Sequence, residues 1–472
     1  MDRSMKVKPN VVTVMMLPLC VSFLGLQGCA SAAKAPGPPA GAAQAAPAAS
    51  RIGDEGPKAA AAGAAIAGTA IAGPAADAAQ GVAARPTDWP HWRGPTGDAH
   101  APDTGINKDW NKRPPRQLWQ AALGEDNHGY PCIAAGRVFV MCHADGNDIV
   151  RAFDGKTGRD VWQFKYPNAM GNGHGGFSGA TPNYDSGRLY VLSLAGEVRC
   201  LDAAKGTEIW MRDIKKELKG NSGFGFNASP LVEGSNLIVS PGGSEGVGPL
   251  VVALDKMTGA TVWQSEYAGM AWSSTPVIST LGGKRQIIAY GSESILSVDA
   301  GTGKTLWKAP RAQETPSPII VGDNVFVTGC GFDYGCAMFS PDGTKLWANK
   351  EMKPNIHTPV YENSYIFGVD GTNHGPHYLV CVEPETGKLM WKGPDIELGG
   401  FAVVDGVIVS CIGDKSDVVM FEASPKEYKE LGRFTAPSIY CDYPSQCWTP
   451  PAIADGKLFI RRKQMLACFD LK

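Results

Sequence analysis

Cysteines, and a scatter of His, Trp and Glu side chains, are the parts of this 472-residue chain that can do chemistry. Cys29 ends the stretch Leu26-Gln27-Gly28-Cys29, with an apolar residue three places before the thiol and a small one directly before it. That spacing suits an enzyme that loads a diacylglyceryl group onto sulfur, so Cys29 is the lipidation candidate. Ala30-Ser31-Ala32 offers the other reading, plain cleavage of an export signal. Cys330 with Cys336, and Cys441 with Cys447, each bracket a five-residue loop containing Gly or Pro, and both are candidate disulfides in an oxidising compartment. Cys200, Cys381 and Cys468 stand two places before Asp202, Glu383 and Asp470, where other repeats carry Ala152, Ala253 or Ser297. They read as small, inert core residues. Asn373-His374-Gly375-Pro376-His377 is a metal site or a surface turn, and without further ligands in view the turn is the reading kept, with no metal assigned. No Gly-x-Ser-x-Gly or His-Glu-x-x-His occurs, and no catalytic residue is assigned.

What must position these residues is a repeat. An acidic residue, a Gly-containing turn and a Trp eight places on recur as Asp154 to Trp162, Asp202 to Trp210, Asp255 to Trp263 and Asp299 to Trp307. Weaker copies run from Glu383 to Trp391 and from Ser340 to Trp347. A carboxylate can cap a tight turn, Gly supplies positive φ, and Trp packs between repeats, so the unit is structural. A period near 45 with short strands and Gly turns indicates a β-propeller. Opening strands begin near Pro131, Thr181, Ser229, Thr275, Ser317, Thr358, Phe401 and Thr449, which predicts an all-β fold of eight blades. The last repeat stops at Asp470 without its Trp, while Trp119 has no preceding Asp, so the N- and C-terminal strands close one blade together.

In a propeller the loops leading into the innermost strands converge on one mouth of the channel. Here they carry His128, Tyr130, Phe177, Phe226, Asn227, Trp272, Glu314, His357, Phe401 and Trp448. An aromatic mouth with a few polar groups grips a flat ligand or an extended peptide. Equally, these side chains can plug the channel.

Residues 1–28 read as an export signal, with Arg3, Lys6 and Lys8 ahead of an apolar run at 11–26. Residues 29–87, mostly Ala, Gly and Pro, bury too little to offset their ordering entropy and read as a tether. Residues 88–115 carry Trp89, Trp92 and Trp110 and read as a strap across one propeller face, with 116–472 as the propeller itself. The net charge of −2 excludes the electrostatic footprint of a nucleic-acid binder.

The Trp-x-x-Trp-Arg-Gly stretch at 89–94 and the Gly-x-x-x-Trp blades resemble the pyrroloquinoline-quinone (PQQ) repeat superfamily. One branch, the quinoprotein dehydrogenases, binds PQQ with Ca²⁺ and typically stacks the quinone on a vicinal disulfide, a pair of adjacent cysteines this sequence lacks. The other is the BamB branch of outer-membrane assembly lipoproteins, scaffolds without a quinone. Lipobox, tether, eight blades and seam are similar to the second. The resemblance therefore implies a non-enzymatic envelope lipoprotein on the periplasmic side of the outer membrane, a protein or peptide partner and no cofactor. The alternative is an alcohol or sugar dehydrogenase using PQQ and Ca²⁺.

Overall fold

The computed structural model describes residues 82–472, apart from 126–127, 169, 172–175, 177–178, 224, 244–246, 272, 292, 311–315, 330–334, 355, 372–375, 396–398, 413–416, 437–448 and 463. Eight antiparallel sheets follow one another along the chain as the blades of a β-propeller. Blade 1 comprises Cys132–Ala134, Arg137–Ala144, Asn147–Asp154 and Asp160–Pro167, counted from the channel outward. Blade 8 takes Ala452–Ala454, Lys457–Arg462 and Met465–Asp470 from the end of the chain and Arg116–Ala122 from its beginning. The outermost strand pairs Arg116 with Asp470 and Trp119 with Cys468. The predicted seam is present.

The repeated turn accounts for its own residues. Asp255 accepts hydrogen bonds from the N–H groups of Met257 and Thr258 at 3.0 and 2.8 Å, and from the Thr258 hydroxyl. Asp154 and Asp299 do the same in their turns. The following glycine takes a left-handed φ, +72° at Gly206, and a Cβ there would lie 2.4 Å from the Trp162 ring of the preceding blade. The Trp162 indole then donates to the Ala203 carbonyl of that turn at 3.0 Å. The same clip runs from Trp119 to Gly155, Trp210 to Lys256, Trp307 to Pro341 and Trp347 to Pro384. Because Trp119 belongs to blade 8 and Gly155 to blade 1, this contact also closes the ring.

The strap crosses the end of the channel opposite the mouth. Trp89 exchanges two backbone hydrogen bonds with Ile133 of blade 1, both 2.8 Å, and the Pro90 carbonyl accepts from Tyr184 of blade 2. Further along, Ala99 accepts from Val403, and His100–Ala101 adds a parallel fifth strand to Phe401–Val404 of blade 7. Trp110, 1% exposed, packs edge-on against Phe434 with ring centroids 5.4 Å apart. Burying a side chain of this size stabilises by about 1.5–3 kcal/mol, enough to hold the strap down.

Candidate functional site

The mouth is ringed by equivalent positions just ahead of each innermost strand. Thr181 N–H donates to the Ser229 hydroxyl, Ser229 N–H to Thr275, Thr275 N–H to Ser317, and Ser317 N–H to Thr358, at 2.9–3.0 Å. This ladder stitches blades 2 to 6. The residues in the same place in blades 7, 8 and 1 are Gly400, Pro450 and Tyr130, which carry no aliphatic hydroxyl.

Below the ring, side chains from the strap enter the channel. Trp92, from the strap, packs in one cluster with Val277 of blade 4 and Tyr130 of blade 1, so its indole bridges opposite walls. Arg93 beside it donates to the carbonyls of Thr358 and Pro359 at 3.3 and 2.7 Å, and to that of Asp98. Burial pushes the Arg93 guanidinium down to about 10. Burial likewise pushes the Tyr130 phenol up to about 12, against the pull of the Arg93 charge and a hydrogen bond with Trp92.

The structure sorts the sequence candidates. Asn227 is a staple, accepting from Gly179 N–H at 2.9 Å and donating to the Gly225 carbonyl. Phe226 and Phe401 are packed into hydrophobic clusters between blades, 4% and 2% exposed. His128 is buried against Gly176, where a Cβ would lie 2.5 Å from the ring, and its carbonyl accepts from Thr449. His357 is buried with neither ring nitrogen hydrogen-bonded among the described residues. Burial, reinforced by His377, pushes its pKa down to about 3, so this imidazole stays neutral. Cys336 is a buried thiol donating to Asn349 Oδ1, and burial pushes it up to about 12; its candidate disulfide partner lies outside the described residues. Cys200, Cys381 and Cys468 are buried free thiols, as their register requires. Cys29, Phe177, Trp272, Glu314, Cys330, Cys441, Cys447 and Trp448 lie outside the described residues.

Two buried polar groups beside the mouth escaped the sequence reading. Arg461, fully buried, donates from Nη1 to the carbonyls of Gly129 and Met141 at 2.9 and 2.7 Å. Its Nε and Nη2 have no partner among the described residues, and burial pushes it down to about 10. The visible signal was two arginines ending the apolar strand Lys457–Arg462. In blade 1, His143 Nδ1 lies 3.0 Å from Asp148 Oδ1, and Asn168 donates to Asp148 Oδ2 at 2.8 Å. Burial pushes the Asp148 carboxyl up, against these bonds. Among the described residues no three His, Cys, Asp or Glu side chains gather to hold a metal ion.

On the strap side a cavity of about 540 Å³ opens beside Trp92 and Arg93, against the innermost strands of blades 3 to 6. Its rim carries the ion pair of Arg285 and Glu233, 2.7 Å apart.

Eight blades, turn-to-indole clips and a ring closed by both chain ends define a PQQ-like β-propeller. The chain belongs to the family described as outer membrane protein assembly factor BamB, whose model matches residues 109–174 and 146–393. It is similar to a polyvinylalcohol dehydrogenase from Pseudomonas sp, 24% identical over 319 residues, covering 56% of this chain and 46% of that one. It is similar also to the outer membrane protein assembly factor BamB of Burkholderia pseudomallei, 23% identical over 280 residues, 50% of this chain and 70% of that one. This chain thus spans less than half the length of the dehydrogenase. Among solved structures, BamB from Moraxella catarrhalis superposes with a TM-score of 0.55 at 18% identity, covering 75% of this chain and 99% of that one. Likeness at that identity establishes the fold alone.

Proposed function

We propose that this protein is a non-enzymatic propeller of the cell envelope, tethered through a lipid on Cys29, which holds a protein or peptide partner at the mouth of its channel. The observation that carries this reading is the packing of strap side chains into the channel. Trp92, Arg93 and Tyr130 pack together below the mouth, and a channel obstructed there suits a polypeptide held at its face better than a cofactor held in its depth. Membership of the BamB family supports an outer-membrane location and a partner in outer-membrane protein assembly.

One observation favours a second reading. Arg461 is a buried cation with no carboxylate beside it among the described residues, and a carboxylate-bearing quinone such as PQQ would supply that charge. The described residues do not fit the accompanying Ca²⁺, which wants six to eight oxygen ligands including carboxylates. No step is derived through the quinone.

The test places a photo-crosslinking amino acid at Trp272, Glu314 and Trp448 in turn, in intact envelopes. A discrete protein adduct that disappears with Cys29→Ser supports the tethered scaffold. Absence of adducts, together with saturable PQQ binding and dye-linked alcohol oxidation, would replace it with the dehydrogenase.

A further inference from the structure

The strap shows how the inner edge of a blade receives an extended chain. At Trp89, Pro90 and Ala99 its backbone hydrogen bonds go to one repeated position, the innermost-strand residue paired with the residue five further on. In blade 1 that is Ile133, paired with Val138, and both its N–H and carbonyl point inward to Trp89. In blade 2 it is Tyr184, paired with Leu189, donating to Pro90. In blade 7 it is Val403, paired with Ile408, donating to Ala99.

The same position in blades 3, 5 and 6 is Val232, Ile320 and Tyr361, paired with Leu237, Val325 and Ile366. The shared register directs their N–H and carbonyl groups inward as well. All three line the cavity beside the strap, together with Ile278 of blade 4. The strap crosses from blade 2 to blade 6 by way of Trp92 and Arg93 and leaves this arc uncovered. On the blade side its wall is formed mainly by half-buried or buried apolar residues such as Val232, Ile278 and Ile320. The strap side and the rim are polar through Asp98, His100, Arg285 and Glu233. The volume of about 540 Å³ is in the ordinary range for ligand clefts, about 300–1,000 Å³.

We propose that this cavity is a second binding site, which takes an extended segment of a partner protein by backbone pairing to the inner edges of blades 3, 5 and 6. The segment carries apolar side chains at alternate positions, completing the circuit that the strap makes in blades 1, 2 and 7. Strand addition of this kind draws affinity from main-chain hydrogen bonds and selectivity from pockets for alternate side chains. The proposal deepens the polypeptide-binding reading but uses the opposite face, so the two fail separately: crosslinking at the mouth reports on one, and the arc residues on the other.

The test pans a random heptapeptide library against the full chain, with counter-selection on Ile320→Arg. Recovered peptides are synthesised and titrated. The expected result is alternating apolar sequences that bind saturably. Affinity falls at least tenfold with Ile320→Arg or Val232→Arg, and falls similarly when alternate peptide nitrogens are methylated. Leu346→Arg, an added charge on an exposed outer strand, leaves binding unchanged. Circular dichroism and a thermal melt confirm that each variant is folded, and the two arc variants stand in for one another if one is not. Recovery of no peptide sensitive to either arc variant overturns the proposal. Binding that ignores N-methylation also overturns it, since the cavity then takes apolar side chains without strand pairing.

Discussion

Blades 2 to 6 and blades 7, 8 and 1 solve one problem differently. In the first arc, each blade hands a backbone N–H at the mouth to a hydroxyl of the next, four times in succession. In the second the same places hold Gly400, Pro450 and Tyr130, and neighbouring blades are joined by other means. Arg461 reaches from blade 8 to two blade 1 carbonyls, the strap adds a strand to blade 7, and Trp110 packs on Phe434. The stitched arc is a repeating device that any blade can copy. The other arc is built from single-use contacts, and it is the arc that contains the seam. Where a ring must close on itself, repetition gives way to particular residues.

The largest expected effect tests the single-use arc. Trp110→Ala should lower unfolding stability by about 3–5 kcal/mol in urea titration, the usual cost of emptying a buried aromatic site. A loss below about 1 kcal/mol would mean the strap is decoration. Next comes acid sensitivity, through His357. Its folded-state value of about 3 lies below the ordinary 6.5, so the unfolded chain takes up the proton first as pH falls. The stability held above pH 6.5 is therefore lost progressively down to about pH 3, at up to about 1.4 kcal/mol per pH unit. His357→Leu should remove close to one proton from that acid slope, and an unchanged slope would assign the sensitivity to another group.

In the stitched arc, Thr275→Val leaves the Ser229 N–H without its acceptor and should cost about 1–3 kcal/mol. Gly400→Ser asks whether the ladder can be extended. A Cβ at Gly400 would lie 2.2 Å from Pro450 Cγ, so the added hydroxyl should destabilise instead of stitching. A stabilised Gly400→Ser would erase the distinction between the arcs. The smallest effect belongs to the turns that both arcs share. Asp255→Ala removes a turn cap and should cost about 1 kcal/mol, matched by Asp154→Ala.

The repeat was legible in the sequence because it depends on local spacing. Asp, turn and Trp lie within nine residues, and their register repeats often enough to count blades and locate the seam. The places where the innermost strands open were legible too, though not the hydroxyls' role there, since Ser229 and Thr275 meet only across a blade boundary. Arg461 was not legible as a buried cation. Its carbonyl partners, Gly129 and Met141, lie more than three hundred residues away along the chain, and only the closed ring brings them together. Phe401 and Phe226 were assigned to the mouth from their place ahead of a strand. Which way an aromatic ring turns there depends on packing with the neighbouring blade, which spacing does not encode.

The seam has a consequence for how the protein is made. The strand at Arg116–Ala122 can find its partner only after Met465–Asp470 has been synthesised. Until then, the early strand waits with an open edge while seven blades assemble behind it. Such long-separation pairing is slow, so ring closure comes late in folding. A chain cut a few residues short would leave that edge permanently open to proteases. The ring thus acts as a completeness check on its own manufacture.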